Sequence, residues 1–179
     1  MVDERQQQLA ALISFHTIFN EQGEADERAV AIVGGAFLDN LLERVLSNFM
    51  VDDPRESQRL LGVERPLGTY GARVAAAYSF GLICKTVRDD LRIIGKIRNK
   101  FAHQLDTSFD QEPIRDWCTG LKWHEFGMMM PPPAGATARM IFEVDVNQLV
   151  GHLEGMALLA KGERRKVGKE DAGGPTLLR

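Results

Sequence analysis

The stretch that decides the fold is VRDDLRIIGKIRNKFAH, residues 87–103. Its apolar residues recur at intervals of three or four, which places them along one face of an α-helix. The polar residues between them fall on the other faces, as they do in a helix that packs one side against a core. The pattern predicts a long amphipathic helix whose buried stripe consists of Val87, Leu91, Ile94, Ile97 and Phe101.

A second long helix is predicted upstream of this stretch. Residues 29–49 carry apolar side chains on a face that rotates along the segment, which is typical of a helix that contacts several neighbours. We therefore expect residues 29–49 and 87–101 to form the central pair of a helical bundle. The Gly34-Gly35 pair lowers helix propensity, and close packing against a neighbouring helix is the simplest reason for its presence.

The remaining segments fit the same fold class. Thr69 is expected to cap a helix over residues 70–83, and Asp145 is expected to cap the last helix, with a short extended segment over residues 138–144 before it. Strand-like alternation is otherwise scarce. The fold prediction is an all-α single helical bundle of about five to seven helices. The first helix, over residues 4–20, is expected to pack through a stripe of Leu9, Leu12, Ile13, His16 and Phe19.

Length and composition limit the protein class. The chain has 179 residues, 44% hydrophobic and 26% charged, and its net charge of −3 excludes a polybasic nucleic-acid binder. Two cysteines cannot build a disulfide framework, and the histidines lack metal-ligand spacing, so we expect no metal and no cofactor. No secretory signal and no membrane-spanning run is visible, which favours a cytoplasmic protein.

The chain is expected to form one domain. We assign residues 1–163 to the bundle and residues 164–179 to a mobile basic tail, because the end of the chain is polar, basic and rich in glycine. Residues 128–133, three methionines followed by three prolines, are expected to form a loop. The sequence assigns no role to this loop or to the tail.

One basic ridge stands out in the acidic chain. Residues 85–103 have a local net charge of +4, and Arg88, Arg92 and Lys96 follow i, i+4 spacing on one helix face. A solvated helix face is the simpler explanation of such a ridge. The functional alternative is a ridge that contacts phosphate groups of RNA, DNA or a nucleotide.

Arg98 lies within the apolar stripe rather than on this ridge. A buried arginine must be paired or hydrogen-bonded, because burying its charge alone is costly. Asp39 and Glu43, which are four residues apart on the second helix, are the expected partners. Arg98, Asp39 and Glu43 are thus predicted to form a structural ion pair.

The string Arg98-Asn99-Lys100-Phe101-Ala102-His103 resembles the Arg-polar-x(3–5)-His motif of the HEPN superfamily of small helical bundles. This resemblance implies an HEPN-like fold. In the ribonuclease members, two copies of the motif meet across a dimer and cleave RNA without a metal. The implied catalytic residues would be Arg98, Asn99 and His103, although about 140° of helix rotation separates Arg98 from His103.

A longer resemblance covers residues 25–121. The segments 37–43 (FLDNLLE), 66–73 (PLGTYGAR), 77–83 (AYSFGLI) and 90–103 (DLRIIGKIRNKFAH) occur in an order similar to that of the mannitol operon repressor family. These are small, all-helical bacterial proteins tied to the control of sugar-alcohol operons. Membership would imply a non-enzymatic transcriptional regulator, and both resemblances imply a homodimer.

The sequence contains no recognisable helix-turn-helix with a polar reading helix. Action through a protein partner therefore fits the acidic chain better than direct reading of DNA, although the ridge leaves nucleic acid open as a partner. The operon, the inducer and any small ligand are not indicated by any residue. The alternative function is a metal-independent HEPN-type endoribonuclease that uses Arg98 and His103 across a dimer.

Overall fold

The computed structural model describes residues 4–17, 19, 26–128 and 134–168, and all regular secondary structure within them is helical. This confirms the prediction of an all-α bundle. Two of the helices, α6 and α7, have only six residues each. In chain order the helices are α1 (Glu4–His16), α2 (Glu27–Phe49), α3 (Pro54–Leu61), α4 (Tyr70–Ser79), α5 (Lys85–His103), α6 (Ile114–Thr119), α7 (Trp123–Met128) and α8 (Ala138–Gly162).

Capping side chains fix where four of the helices begin. The carboxylates of Asp26 and Asp53 accept backbone N–H bonds in the first turns of α2 and α3. The hydroxyl of Thr69 accepts the N–H of Ala72, so the cap predicted for α4 is confirmed. Thr137 caps α8 in the same way, through the N–H of Met140. Each cap satisfies N–H groups that the helix itself leaves unpaired.

The start of α8 differs from the sequence prediction. Residues 138–144 are helical rather than extended, and Asp145 lies two turns inside α8 instead of capping it. The reason is packing, because Ala138, Phe142, Val146 and Leu149 are all buried at intervals of three and four. This helical periodicity outweighs the β propensity of the individual side chains.

Helix α2 is the centre of the bundle. It contacts α3, α4, α5 and α8, and its contact with α8 is the most extensive. The predicted α2–α5 pair is therefore present, but α8 is the larger partner of α2. Most of the apolar residues on the several sides of α2 pack within one chain, and Ala36 is exposed. Side chains completely removed from solvent include Leu38, Leu42 and Val45 of α2, Leu91, Ile94 and Ile97 of α5, and Val146 and Leu149 of α8.

The glycine pair in α2 allows close packing, as the sequence suggested. A Cβ atom on Gly34 would lie 2.9 Å from Cε2 of Phe19 and 3.3 Å from Cγ1 of Val146. Gly35 is equally close to the side chain of Arg98. Any larger residue at either position would force these neighbours apart.

The segment that follows α8 folds back on α2. The backbone N–H of Arg165 donates to the carbonyl of Phe49, and the guanidinium of Arg164 bonds the carbonyl of Asn48 and the carboxylate of Asp52. These two arginines belong to the segment assigned to the tail, whose residues 169–179 lie outside the described part of the chain. None of the described helices is long and apolar enough to cross a bilayer.

Candidate functional site

The structure divides the predicted basic ridge on α5. Arg88 bonds the carboxylate of Asp89 at 2.7 Å and stacks over the ring of Tyr78, so its charge is already engaged. Arg92 and Lys96 are exposed, and no carboxylate of the described residues forms an ion pair with either of them. Lys96 instead approaches the face of Trp117 at 6.0 Å. The two C-terminal members of the ridge are therefore the available cations.

The predicted ion pair of Arg98 with Asp39 and Glu43 is absent from the described residues, because a different arginine bonds these two carboxylates. Arg73 of α4 bonds Asp39 and Glu43, each at 2.7 Å. Its Nε and Nη2 also donate to the carbonyls of Leu67 and Leu61, and the side chain is 8% exposed. The carboxylates are on the face of α2 that contacts α4, so the arginine that reaches them comes from α4 rather than from α5.

Arg98 is held by packing instead of by a counter-ion. Its Cβ, Cγ and Cδ atoms lie against Gly35 of α2, and its guanidinium carbon is 5.7 Å from the centre of the Tyr70 ring. The Nε–H of Arg98 is buried and has no hydrogen-bond acceptor among the described residues. A buried donor without an acceptor is uncommon in native proteins and indicates an unfilled interaction.

These side chains surround a pocket of about 390 Å³ between α4 and α5. One wall is the first turn of α4, and the other is the exposed face of α5. The lining residues include three basic side chains and no acidic one. They are Thr69, Tyr70, Gly71 and Val74 from α4, and Arg92, Gly95, Lys96, Arg98 and Asn99 from α5.

Tyr70 fixes the spacing between the two walls. Its hydroxyl donates to the carbonyl of Leu91. Its ring packs against Gly95 so closely that a Cβ atom on Gly95 would lie 2.8 Å from the nearest ring atom. Burial, followed by the charge of Asp39, raises the pKa of the Tyr70 hydroxyl. Tyr70 is therefore neutral at physiological pH, and the charge of Asp39 is engaged by Arg73.

The six-residue motif is split by this geometry. Arg98 and Asn99 line the pocket, whereas His103 is exposed at the end of α5 and is absent from the lining. The end of α5 is occupied by the guanidinium of Arg28, which donates to the carbonyls of Phe101, Gln104 and Leu105. Within one chain, the structure does not bring Arg98 and His103 to a shared pocket.

A buried polar cluster lies on the other side of α5, away from this pocket. Asp90 accepts the backbone N–H groups of Lys122 and Trp123, and Asp145 accepts the backbone N–H of His124 at 2.8 Å and contacts its Nδ1 at 3.1 Å. Both carboxylates thus cap the start of α7 from outside that helix. Burial raises the pKa of Asp145 to about 8 and also raises that of Asp90, whereas burial lowers the pKa of His124.

The arrangement of the cluster is structural rather than metal-binding. No group of three or more His, Cys, Asp or Glu side chains in the described ranges could hold a metal ion. Cys118, close by, is buried, and burial raises the pKa of its thiol to about 12, which leaves it unreactive.

A second surface feature is an apolar groove of about 500 Å³ between the end of α2, α3 and the end of α4. Leu60 and Phe80 remain 40% and 50% exposed in it, and Phe80 stacks on Phe49 at 6.0 Å. Arg165 lies over the other side of Phe49 and provides a polar edge. Exposed apolar grooves with a polar rim are typical of protein-binding surfaces.

Sequence reasoning missed two residues, Tyr70, which sets the spacing of the pocket walls, and Arg73, which bonds Asp39 and Glu43. Both occur in the segment 66–73 on which the longer resemblance rests, but nothing in their spacing assigned them a partner. Arg73 lies three residues after Tyr70 and four after the Thr69 cap. A basic side chain inside the first turn of a helix, where the dipole disfavours it, was the available signal.

Comparison with known proteins supports the fold. No protein-family model and no curated protein matches the chain. A solved structure does match, the X-ray structure of the MtlR–HPr complex from Escherichia coli. The similarity has a TM-score of 0.59 at 18% sequence identity, and it covers 78% of this chain and 98% of that chain. The bundle is therefore similar in fold to a chain of that complex.

Proposed function

We propose that this protein is a non-enzymatic transcriptional regulator of the MtlR type that acts by binding a protein partner. The observation that carries the proposal is the fold similarity, which extends over 98% of a chain solved in complex with HPr. The resemblance of residues 25–121 to the mannitol operon repressor family, which rests on the quoted segments and is matched by no family model, points to the same function.

The charge of the chain favours a protein partner over DNA. The net charge is −3, and the one basic ridge is interrupted because Arg88 is engaged by Asp89. Only Arg92 and Lys96 of that ridge are free to contact a phosphate backbone, and such a small number of contacts gives weak, strongly salt-dependent binding. We therefore assign no reading of operator DNA to the described part of the chain.

We propose the apolar groove around Phe80 as the docking surface, with an HPr-type protein as its occupant. Leu60 and Phe80 both line the groove and remain partly exposed, so their aliphatic and aromatic surfaces are available without rearrangement of the bundle. Aromatic side chains at the centre of a groove contribute strongly to protein–protein affinity.

The test is calorimetric titration of the purified protein with HPr of the source organism. Wild type is expected to bind, and the Leu60→Ser/Phe80→Ser double variant to bind at least about tenfold more weakly. Leu105→Ser is the matched control, because Leu105 is also a highly exposed apolar side chain but does not line the groove. In parallel, deletion of the gene is expected to change expression of an operon. Absence of both HPr binding and an expression change would contradict the proposal.

A further inference from the structure

The pocket between α4 and α5 has the properties of an anion site, and no comparison assigns it a ligand. We propose that it binds the phosphate group of a small phosphomonoester, with Arg92, Lys96 and Arg98 as the cationic contacts and the first turn of α4 as the source of backbone N–H donors. This inference goes beyond the proposed function and does not depend on it, since it rests on the pocket alone.

The charge distribution is the first argument. Three basic side chains converge on a pocket that no acidic residue lines, in a protein whose net charge is −3. Elsewhere on the described surface, Arg59 and Arg115 are paired with carboxylates. Cations left without carboxylates around a concave surface repel one another unless an anion is bound.

The second argument is the position of Arg98. The aliphatic part of its side chain packs on Gly35 and its guanidinium carbon lies 5.7 Å from the centre of the Tyr70 ring, so the side chain lines the pocket in a set orientation. Its Nε–H is sealed from solvent and lacks an acceptor among the residues that the structure describes, and no carboxylate pairs with the guanidinium there. A phosphate in the pocket would neutralise this charge, and the planar guanidinium matches two phosphate oxygens at once.

The third argument is the backbone of α4. This helix has ten residues, and its N-terminal end forms the opposite wall of the pocket. Thr69 occupies one N–H of the first turn, that of Ala72, and the helix leaves the others without an intrahelical partner. Nothing lies within 4 Å of the position that a Cβ of Gly71 would occupy, so the approach to this backbone is open. Phosphate groups bind well at such helix ends.

The size of the pocket selects a small ligand over a nucleic acid. About 390 Å³ accommodates a phosphate with a small organic group and lies in the usual range for small-molecule sites. Asn99 at the rim can bond hydroxyl groups of that organic part. A nucleic-acid track would require a continuous line of cations, and the pairing of Arg88 with Asp89 interrupts the line on α5.

The test measures binding of inorganic phosphate and of ribose 5-phosphate by calorimetry at constant ionic strength, with ribose and a single-stranded oligonucleotide as comparison probes. Wild type is expected to bind ribose 5-phosphate, with a Kd of about 1 mM or below, and not ribose. Arg98→Met retains the packed chain but removes the charge, and it is expected to weaken binding about tenfold or more.

Gly71→Asp is the most informative variant. It introduces a carboxylate into open space at the start of α4, where the helix dipole favours negative charge, so the melting temperature is expected to stay the same or rise. The same carboxylate repels a phosphate, so binding is expected to be lost. Gly71→Asn, of nearly the same size but neutral, is expected to retain most of the binding. Lys100→Gln removes a charge from α5 outside the pocket and is expected to bind as wild type does.

Three outcomes would overturn the inference. The first is no binding of either phosphate probe at about 10 mM, a concentration that detects even weak sites. The second is an equal loss of binding in Lys100→Gln and Arg98→Met, which would indicate general electrostatic attraction. The third is binding of the oligonucleotide, dependent on Arg92 and Lys96, without binding of ribose 5-phosphate. Failure of any of these kinds leaves HPr binding at the groove unaffected.

Discussion

Gly35 and Arg98 are in direct contact across the α2–α5 interface. A Cβ on Gly35 would lie 2.8 Å from Cγ, 3.1 Å from Cβ and 3.2 Å from Cδ of Arg98. The contact involves the base of the arginine side chain, which cannot move away without moving α5. The glycine therefore determines where the guanidinium of Arg98 lies, and it links the packing of the core to the geometry of the basic pocket.

Gly35→Ala is expected to destabilise the protein by about 1–3 kcal/mol, since the added methyl group overpacks the α2–α5 interface. Gly151→Ala is the control, because Gly151 is an exposed glycine of α8 with nothing near its Cβ position. There the same substitution is expected to stabilise by about 0.5–1 kcal/mol through helix propensity. Denaturant unfolding measures both. Equal effects of the two substitutions would show that the Gly35–Arg98 contact has no energetic consequence.

Arg73→Met is expected to cost about 2–3 kcal/mol of unfolding free energy, somewhat below the range for a fully buried pair because Asp39 and Glu43 retain solvent contact. The substitution also leaves the carbonyls of Leu61 and Leu67 without their donor. Arg98→Met, in contrast, is expected to cost less than about 1 kcal/mol, since it breaks no ion pair in the described structure. Urea unfolding of both variants measures these free energies. A larger loss of unfolding free energy for Arg98→Met than for Arg73→Met would favour the ion pair of Arg98 with Asp39 and Glu43 that the sequence suggested.

The misassigned partner of Asp39 and Glu43 shows what sequence periodicity can determine. Spacing placed both carboxylates on one face of α2, and the structure agrees, since both bond Arg73. Spacing also placed Arg98 within the buried stripe of α5, whereas in the structure Arg98 is only half-buried and lines the surface pocket. Sequence spacing does not determine whether the arginine that reaches these carboxylates comes from α4 or from α5. The answer depends on how α4 and α5 are rotated about their axes. Two contacts set these rotations, that of Tyr70 with Gly95 and that of Arg98 with Gly35.

The ends of the chain show a second limit. Of the stripe expected on the first helix, Phe19 is buried and Leu12 is half-buried, whereas Leu9, Ile13 and His16 are exposed. Phe15, which was not expected on that stripe, is buried and stacks on Phe37. Two apolar faces are available on α1, and the larger aromatic side chains determine which of them packs against α2. Residues 138–144 illustrate the opposite case. Their apolar residues follow the helical period of the rest of α8, but the strand preference of the individual residues led to the wrong prediction of an extended segment.

The stability of the protein is expected to decrease as the pH rises from about 5 to 8, in part because of Asp145. Its folded pKa of about 8 lies above its ordinary value, so the folded state retains a proton that the unfolded state releases. The stabilisation that Asp145 contributes to the folded state is thus complete at acidic pH, and it is lost as the pH rises through the folded pKa. Thermal unfolding of Asp145→Asn, which mimics the protonated acid, is expected to show a shallower decline than wild type.

Comparison of the two slopes measures Asp145 together with its coupling to the neighbouring titrating groups, such as Asp90. Asp90 has a raised pKa and contributes a decline of the same sign, whereas the lowered pKa values of His124 and His152 reduce stability toward acidic pH. Identical slopes in wild type and Asp145→Asn would mean that Asp145 is ionised in the folded protein throughout this range.

His103→Ala is expected to change neither stability nor RNA integrity. The side chain is exposed at the end of α5, and Arg28 rather than His103 bonds the last carbonyls of that helix. Such surface substitutions usually change the unfolding free energy by less than about 0.5 kcal/mol. Incubation of the purified protein with mixed RNA in the presence of a chelator is the assay. Cleavage by wild type that disappears in His103→Ala would establish the metal-independent ribonuclease in place of the regulator.

A homodimer remains a prediction, and among the described residues its support in the structure is the exposed apolar side of α1. Leu9 and Ile13, one turn apart on α1, are 58% and 56% exposed. An apolar pair on a helix whose opposite side is already packed is available for a second copy.

Sedimentation equilibrium is expected to give twice the chain mass of 20.0 kDa for wild type. The Leu9→Ser/Ile13→Ser variant is expected to sediment as a monomer, while Leu105→Ser, which changes an exposed leucine outside α1, is expected to stay dimeric. A wild-type species of single chain mass at about 100 μM would contradict the prediction, because a dimer with a dissociation constant of about 10 μM or below is largely formed at that concentration.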